Sequence, residues 1–283
     1  MSGIVWLASY PKSGNTWFRI FIANLLNNTD NPVNINALPR MVACDRRTFD
    51  DLIGIESADL TNEEIDALRP EVYEYLATQA EEPLFIKCHD AYTLLPDGRA
   101  IFPPRVTKAI YLIRNPLDVA VSYSFHVGKS IDQIIVAMDN SNACFDLKYK
   151  SMVIPLPQRI MSWSENVTSW VEAQEIEVHI VHYEDMKNHP LRTFTAAARF
   201  AGLPCDEASI RRAIEFSDFR VLKQQEKAEG FTEIVTEDGF FREGRVGNWR
   251  QHLTCEQVER LVAAHGKVMR RCGYLSADGQ LMI

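Results

Sequence analysis

Short apolar runs alternate along the chain with longer runs in which apolar residues recur every three or four positions. The short runs are rich in β-branched residues and end in polar or turn-forming residues, which is typical of buried strands. The longer runs are typical of helices that bury one face. Strands are predicted at 4–9, 83–87, 108–113 and 178–182, and helices up to 27 and at 61–77, 116–127, 158–173 and 191–201. This alternation predicts an α/β fold with a mostly parallel central sheet flanked by helices.

The turn after the first strand is the most informative stretch of the sequence. Pro11 and Gly14 break the apolar run, and the helix that follows leaves its first backbone N–H groups without intrahelical partners. Lys12, Ser13 and Thr16 add a charge and hydroxyl donors to those groups. A turn of this composition predicts an anion site, with a phosphate as the expected ligand. It is not an ordinary P-loop, because there the lysine follows the second glycine, whereas Lys12 precedes Gly14.

The octet from Tyr10 to Trp17 resembles the 5′-phosphosulfate loop of the sulfotransferases that use 3′-phosphoadenosine 5′-phosphosulfate (PAPS). Asn15 stands where the motif of that family has threonine. The resemblance implies a single domain with the P-loop nucleotide-kinase-like fold of these enzymes. It also implies that the loop binds the sulfated end of PAPS. The residues implied are Lys12, Ser13, Gly14, Asn15, Thr16 and Trp17.

The third predicted strand leads into a segment that resembles the 3′-phosphate motif of the same family. Arg114 leaves the strand, Pro116 and Asp118 are typical of a helix start, and Ser122 lies about two turns into the helix. Arg114 and Ser122 could reach one phosphate only if this helix lies along the ligand. Their spacing matches the family motif, so the resemblance implies that both bind the 3′-phosphate.

Further segments resemble the parts of the family that complete the nucleotide pocket. The matching residues are Tyr183 at the end of the fourth strand, Ser217, Phe219, Arg242 and Gly244. The resemblance implies that Tyr183 contacts adenine and that Arg242 and the Gly244 backbone close over the 3′-phosphate. Asp218, Glu243 and Asn248 depart from the family pattern. Glu243 replaces a lysine and is not expected to bind, and Arg245 is its candidate substitute.

The second predicted strand brings Lys87 and His89 to its carboxyl end, where open α/β sheets place their ligands. A lone histidine is more often structural than catalytic, but this position beside a lysine favours chemistry. The segment resembles the Lys-Thr-His of the family, with Cys88 in place of threonine. The resemblance implies that His89 is the general base for the acceptor hydroxyl. It also implies that Lys12 stabilises the leaving bridging oxygen and Lys87 the transferring group.

Composition limits the classes of function. The 283 residues, 46% of them hydrophobic, fit one large domain spanning 1–283. A formal charge of −8 gives no reason to expect a nucleic-acid partner. The six cysteines form no C-x-x-C pair, so we predict no metal site and free thiols in a reducing compartment. No apolar run suits a signal peptide or a membrane span, and we therefore expect a cytoplasmic protein without a membrane partner.

Two regions carry weaker signals. The segment 126–157 breaks the helical pattern, and we interpret it as an irregular segment that gates the acceptor. Arg250, Thr254 and Glu259 resemble the short dimer motif of the family, which implies a homodimer. Thr254 with Gln257 is also an ordinary capping box.

The predicted reaction moves the sulfuryl group of PAPS to a hydroxyl or phenol of a small molecule and releases adenosine 3′,5′-bisphosphate (PAP). Bacterial members of the family suggest a natural product as acceptor, and a glycan or lipid is the alternative. Two other functions stay open. A nucleotide or small-molecule kinase of related fold would need a true Walker lysine. A nucleotide-binding regulator without activity would have no use for Lys87 and His89.

Overall fold

The computed structural model describes residues 3–38, 42–43, 45–145, 155–233 and 239–282. The strands are β1 (Ile4–Ser9), β2 (Leu84–Cys88), β3 (Thr107–Ile113), β4 (Cys144–Phe145), β5 (Gln158–Arg159) and β6 (Glu177–His182). The α-helices are α1 (Asn15–Asn27), α2 (Arg46–Ile53), α3 (Asn62–Gln79), α4 (Pro116–Val127), α5 (Ile131–Met138), α6 (Trp163–Val171), α7 (Tyr183–Asn188), α8 (Pro190–Ala201), α9 (Glu207–Phe216), α10 (Phe219–Glu229) and α11 (Cys255–Arg271).

The chain divides into two compact units. Unit 1 consists of Met1–Tyr10, Met41–Tyr111 and Asn140–Ile180, and unit 2 of Pro11–Arg40, Leu112–Asp139 and Val181–Ile283. Strands β1 and β2 belong wholly to unit 1, whereas β3 and β6 begin in unit 1 and end in unit 2. The prediction that 1–283 forms one domain stays a prediction.

The central sheet has the strand order β2-β1-β3-β6. Strands β1 and β2 pair in parallel, with Ile4 opposite Leu84 and Ala8 opposite Cys88. Every residue of β1 is buried, as its continuous apolar run predicts for the interior of a sheet covered on both faces. The carboxyl ends of β1 and β2 lead directly to Tyr10 and His89, so the sheet sets the starting points of both predicted site segments.

Aromatic side chains form much of the core of unit 1. The Trp6 ring of β1 lies 4.8 Å from the Tyr73 ring of α3 and 4.7 Å from the Phe102 ring, centroid to centroid. Helix α3 begins with a capping box, in which Thr61 and Glu64 each bond the other's backbone. This cap fixes the start of the helix that presents Tyr73 to the sheet.

Unit 2 is built around α1. Phe18 and Phe21 of this helix pack on Phe194 of α8, at centroid distances of 5.8 and 4.2 Å. On another side, Ile20 belongs to a buried cluster that also contains Leu222 of α10 and Phe241. The helix that follows the predicted phosphate loop is therefore held by segments distant in sequence.

Two predictions about local structure are wrong in part. The segment 126–157 is not irregular throughout, because it includes the end of α4 and the whole of α5. Ser130 and Gln133 form a capping box that starts α5, and its apolar residues recur at helical spacing. Residues 146–154 of the predicted gate lie outside the described residues. The helix predicted from 158 begins only at Trp163, because Gln158 and Arg159 pair with β4.

Among the described residues, no helix is both long enough and apolar enough to cross a lipid bilayer.

Candidate functional site

The loop between β1 and α1 has the backbone of an anion-binding turn. Lys12 and Gly14 both adopt left-handed conformations, with φ of 69° and 100°. Gly14 is the N-cap of α1 and supplies no side-chain cap, and the described first turn of α1 carries no acidic residue. The Ser13 hydroxyl is buried and has no hydrogen-bond partner among the described residues. Uncapped N–H groups beside such a hydroxyl suit the oxygens of a bound phosphate.

Two constraints favour glycine at position 14: its positive φ and the close packing of a neighbouring side chain. A Cβ at this position would lie 2.8 Å from Tyr183 Cδ2 and 3.0 Å from Met186 Cε. The absence of a side chain at Gly14 therefore lets the Tyr183 ring lie directly against the loop. The sequence marks Gly14 as part of the predicted binding turn, and the structure adds the approach of Tyr183.

Arg114 connects the loop to two other predicted segments. Its Nη1 donates to the Lys12 carbonyl at 3.2 Å, and its Nη2 donates to the Arg245 carbonyl at 3.1 Å. The guanidinium Cζ lies 4.2 Å from the centroid of the Tyr183 ring. The Arg114 Nε is buried and has no partner among the described residues, so one donor stays available for a ligand oxygen.

Arg242 reaches the helix that carries Ser122. Its guanidinium Cζ lies 3.2 Å above the centroid of Phe125, which follows Ser122 by three positions on α4. Residues three apart on a helix share a face, so the structure brings Arg242 to the Ser122 side of α4. Glu243 Oε1 lies 3.8 Å from Arg242 Nη2, and the acidic departure from the family pattern thus offsets part of this charge.

The segment around Gly244 is held by α10 and α4. Gly244 has a φ of 58°, and a Cβ there would overlap the Phe219 ring, so the Gly244 backbone lies on that ring. Asp118 of α4 accepts from the backbone N–H groups of Gly247 and Trp249 at 2.8 and 2.9 Å. The two segments predicted to bind the 3′-phosphate are therefore tied together by a carboxylate that the sequence did not mark as functional.

The rings of Trp17 and Phe219 lie near a side chain that sequence reasoning missed, that of Lys187. The Trp17 indole donates to the Ser217 carbonyl at 2.8 Å. The Lys187 ammonium lies 4.5 Å from the Trp17 ring centroid and 5.5 Å from that of Phe219. Burial lowers the pKa of Lys187, while Asp218 opposes that shift. A signal existed, because Lys187 follows Tyr183 by one helical turn.

Three predicted side chains are engaged within unit 2. The Ser217 hydroxyl donates to the Ala213 carbonyl at 2.6 Å, so the hydroxyl predicted to contact the nucleotide has a structural partner. The Lys12 ammonium lies 4.2 Å from the centroid of Phe240. Thr16 donates to Glu233 Oε2 at 3.1 Å. Glu233 also accepts from Arg19 Nη1 at 2.7 Å, and nothing in the local sequence predicts this acidic neighbour of the loop.

The predicted base lies in unit 1. His89 follows β2 and is half-buried, and its Nδ1 lies 2.8 Å from the Ser9 carbonyl and 3.2 Å from the Ser9 hydroxyl. The Phe145 ring stands edge-on to the imidazole, with centroids 6.1 Å apart. The Lys87 carbonyl accepts from the Ala43 N–H at 2.8 Å, which fixes the end of β2 next to the histidine.

The predicted dimer residues are described by their local roles. Thr254 and Gln257 form the capping box that starts α11. The Arg250 guanidinium lies 4.5 Å from the centroid of the neighbouring Trp249 ring. Glu259 is exposed on α11. The contact of this segment with a second copy stays a prediction.

A family model described as a sulfotransferase domain matches residues 3–273. Sulfotransferase 1B1 of Mus musculus is 26% identical over 275 residues, covering 94% of this chain and 83% of the relative. Luciferin sulfotransferase of Photinus pyralis is 28% identical over 268 residues, covering 89% of this chain and 68% of the relative. The similarity thus extends over nearly the whole chain.

Solved structures have a similar fold. A mouse sulfotransferase complexed with PAP, SULT7A1, has a TM-score of 0.59 at 20% identity, over 98% of this chain and 85% of that one. Retinol dehydratase in a complex with retinol and PAP has a TM-score of 0.61 at 19% identity, over 94% of this chain and 81% of that one. At such identity the likeness concerns the fold alone. It confirms the predicted α/β fold with a parallel central sheet.

Proposed function

The chain belongs to the sulfotransferase family, and from this premise we propose that it transfers the sulfuryl group of PAPS to a hydroxyl or phenol of a small-molecule acceptor. It is an enzyme of the transferase class. The observation that supports PAPS as the sulfuryl donor is the position of Arg114. This one side chain donates to the phosphate loop and to the 242–247 segment while lying on Tyr183.

The residues of unit 2 fit a nucleotide with phosphates at both ends. The Ser13 hydroxyl and the uncapped start of α1 suit the 5′-phosphosulfate. The 3′-phosphate is assigned to a second group of donors. These are Arg114 Nε, Ser122 on α4, and Arg242, which lies beside that helix. Two structures of similar fold were solved with PAP, which agrees with this assignment. We assign aromatic rings to the adenine base of the nucleotide, namely those of Tyr183, Trp17 and Phe219.

The chemistry resembles phosphoryl transfer, in which catalysis depends on positioning and on stabilisation of developing negative charge. We assign Lys12 to the bridging oxygen that leaves with PAP and Lys87 to the transferring sulfuryl group. His89 takes the proton of the acceptor hydroxyl as the oxygen attacks sulfur. Its Nδ1 lies within hydrogen-bond distance of Ser9, and the other ring nitrogen is the one assigned to the acceptor proton.

An aromatic side chain beside the base favours an acceptor with a ring. Phe145 stands edge-on to His89 and belongs to the 126–157 segment to which we assign the gating of the acceptor. Similar proteins are named for luciferin or were solved with retinol, which agrees with a small hydroxylated acceptor. We propose a natural product as acceptor, with a glycan or lipid as the alternative.

The first experiment separates the donor from that of a kinase. Titration calorimetry should detect binding of PAP and little or none of ATP with Mg²⁺. Incubation with labelled PAPS and a panel of phenols, sterols, sugars and peptide scaffolds should then yield a sulfated product. Tight ATP binding without PAP binding would favour the kinase. PAP binding without product from any acceptor would favour a regulator.

We also propose the remaining properties that follow from the resemblance. The enzyme acts in the cytoplasm as a homodimer whose contact includes Arg250, Thr254 and Glu259. Light scattering of the wild type and of an Arg250→Glu, Glu259→Arg double variant tests this contact. A monomeric wild type would remove the dimer from the proposal.

A further inference from the structure

Asp90, which directly follows the proposed base His89, does not act on the imidazole. Its side chain is 0% exposed, and its two carboxylate oxygens accept from Nη1 and Nη2 of Arg69 at 3.0 Å each. Such a two-pronged pair holds a carboxylate in one orientation. A His-Asp sequence therefore does not form a catalytic dyad in this protein.

The arginine that holds Asp90 is itself fully buried. Arg69 lies on α3, and its side chain is 0% exposed. Burial alone would lower the pKa of Arg69, but the charge and hydrogen bond of Asp90, together with Tyr73 and Asp66, more than offset this and the pKa is raised. Asp66 also accepts from Arg69, at 3.2 Å, and from the exposed Arg159 at 2.7 Å. Removing either Arg69 or Asp90 would leave the other as an unpaired buried charge, which is strongly destabilising. The ion pair is therefore a rigid support for the strand end that carries His89.

The backbone of His89 is held on both sides. Its N–H donates to Gln158 Oε1 at 3.1 Å, and its carbonyl accepts from Asn166 Nδ2 at 3.0 Å. Asn166 is 0% exposed, donates to the Ile160 carbonyl at 2.8 Å and accepts from the Tyr111 hydroxyl at 2.8 Å. Each amide hydrogen and the amide oxygen of Asn166 therefore has a defined role.

The same arrangement determines which ring nitrogen of His89 carries the proton. Nδ1 lies 2.8 Å from the Ser9 carbonyl, and a carbonyl oxygen can only accept. The neutral imidazole consequently has its hydrogen on Nδ1, and Nε2 is the basic nitrogen. This tautomer depends on the ring staying at that distance from Ser9, and hence on the groups that hold the His89 backbone.

We propose that Asp90 and Asn166 are positioning residues that hold His89 as the Nδ1–H tautomer, with Nε2 as the base. The proposal rests on the proposed function, in which His89 takes the acceptor proton. Asp90 acts through its pair with Arg69, and Asn166 through the His89 carbonyl. Helices α3 and α6, which carry Arg69 and Asn166 and are assigned no motif for chemistry, thereby gain a role in turnover.

The test combines kinetics with a direct measurement of the tautomer. Asn166→Ala and Asp90→Asn should each lower kcat by about 10- to 100-fold, the scale of a misplaced catalytic group, while the KM for PAPS stays nearly constant. Nitrogen-15 NMR of histidine-labelled protein should show an Nδ1–H tautomer for His89 in the wild type. The His89 signals are assigned as those missing from His89→Gln. In the two variants this tautomer preference should weaken.

Matched controls separate positioning from loss of stability. Asp66→Asn also removes a carboxylate from Arg69, and Ser169→Ala removes a hydroxyl from the same helix as Asn166. Both should lower the melting temperature while leaving kcat and the His89 spectrum close to wild type. Tyr111→Phe, which removes the hydrogen bond to the Asn166 oxygen, supplies a milder variant if Asn166→Ala does not fold.

The outcomes distinguish this proposal from the proposed function. A wild-type Nε2–H tautomer, or unchanged kcat in folded Asn166→Ala and Asp90→Asn, would overturn the positioning roles. Unchanged kcat in His89→Gln would instead remove His89 as the base, even if the tautomer were found as stated.

Discussion

Units 1 and 2 hold their site residues in different ways. In unit 2 the predicted residues contact one another, as when Arg114 donates to Lys12 and lies on Tyr183. In unit 1 the predicted base is held by groups that belong to no motif, such as Asn166 and the Arg69–Asp90 pair. Motifs whose residues contact one another in the fold indicate a ligand pocket. The orientation of a general base depends instead on buried polar groups that are distant from it in sequence. The comparison predicts that the residues of unit 2 that surround Arg114 govern donor affinity, whereas the residues of unit 1 that hold His89 govern turnover.

The largest expected effect tests the unit 1 side of this division. His89→Gln should lower kcat by about 100-fold or more, because the acceptor proton loses its base. Titration calorimetry should find PAP affinity unchanged, since the change lies outside unit 2. His189→Gln, an exposed histidine, is the control and should match the wild type in both measurements. A parallel loss of PAP affinity in His89→Gln would contradict the division.

Arg114→Ala should have the next largest effect, which is on PAP affinity rather than on kcat. Its guanidinium supplies buried, charge-assisted donors, so PAP affinity should fall by about 100-fold. Arg220→Ala removes an arginine that is 94% exposed on α10 and should leave affinity close to wild type. If Arg114→Ala bound PAP normally, the proposed 3′-phosphate site would be wrong.

Gly14→Ala tests whether unit 2 depends on close packing around the loop. The new Cβ would meet Tyr183 in a backbone of positive φ, so stability should fall by about 1–3 kcal/mol and PAP affinity should fall with it. Gly202→Ala has a similar φ of 77° but nothing within 4 Å of the added Cβ. Denaturation of both variants and calorimetry with PAP should show a loss of affinity only in Gly14→Ala. Equal PAP affinity in the two variants would mean that Tyr183 is not needed against the loop.

Much of the fold, and the turn that we propose to bind the donor, could be predicted because the deciding interactions are local in sequence. A strand followed by a Lys12 to Gly14 turn and a helix is one continuous segment, and capping boxes such as that of Thr61 mark helix starts directly. The α5 helix was missed although Ser130 and Gln133 carry the same signal.

The interactions that could not be predicted join positions far apart in the chain. Asn166 lies 77 residues from His89, and Glu233 lies 217 residues from Thr16. No sequence pattern around Asn166 or Glu233 predicts the partner of either residue. A buried hydrogen bond depends on how the folded chain packs rather than on the spacing of residues along the sequence. Sequence motifs therefore mark the side chains that we propose to face a ligand, but not the residues that hold those side chains in place.

The smallest expected effect concerns the acidic neighbour of the phosphate loop. Glu233 accepts from Thr16 and Arg19, so its negative charge lies close to where unit 2 is proposed to bind the 5′-phosphosulfate. Glu233→Gln keeps the shape and removes the charge, and PAP affinity should rise by about two- to fivefold because a repulsion of roughly 1 kcal/mol is lost. Glu215→Gln, an exposed carboxylate on α9, should change affinity little. A fall in affinity for Glu233→Gln would mean that the carboxylate supports the loop by orienting Thr16 and Arg19. Donor binding in unit 2 would then depend, like the base in unit 1, on a polar group outside the motifs.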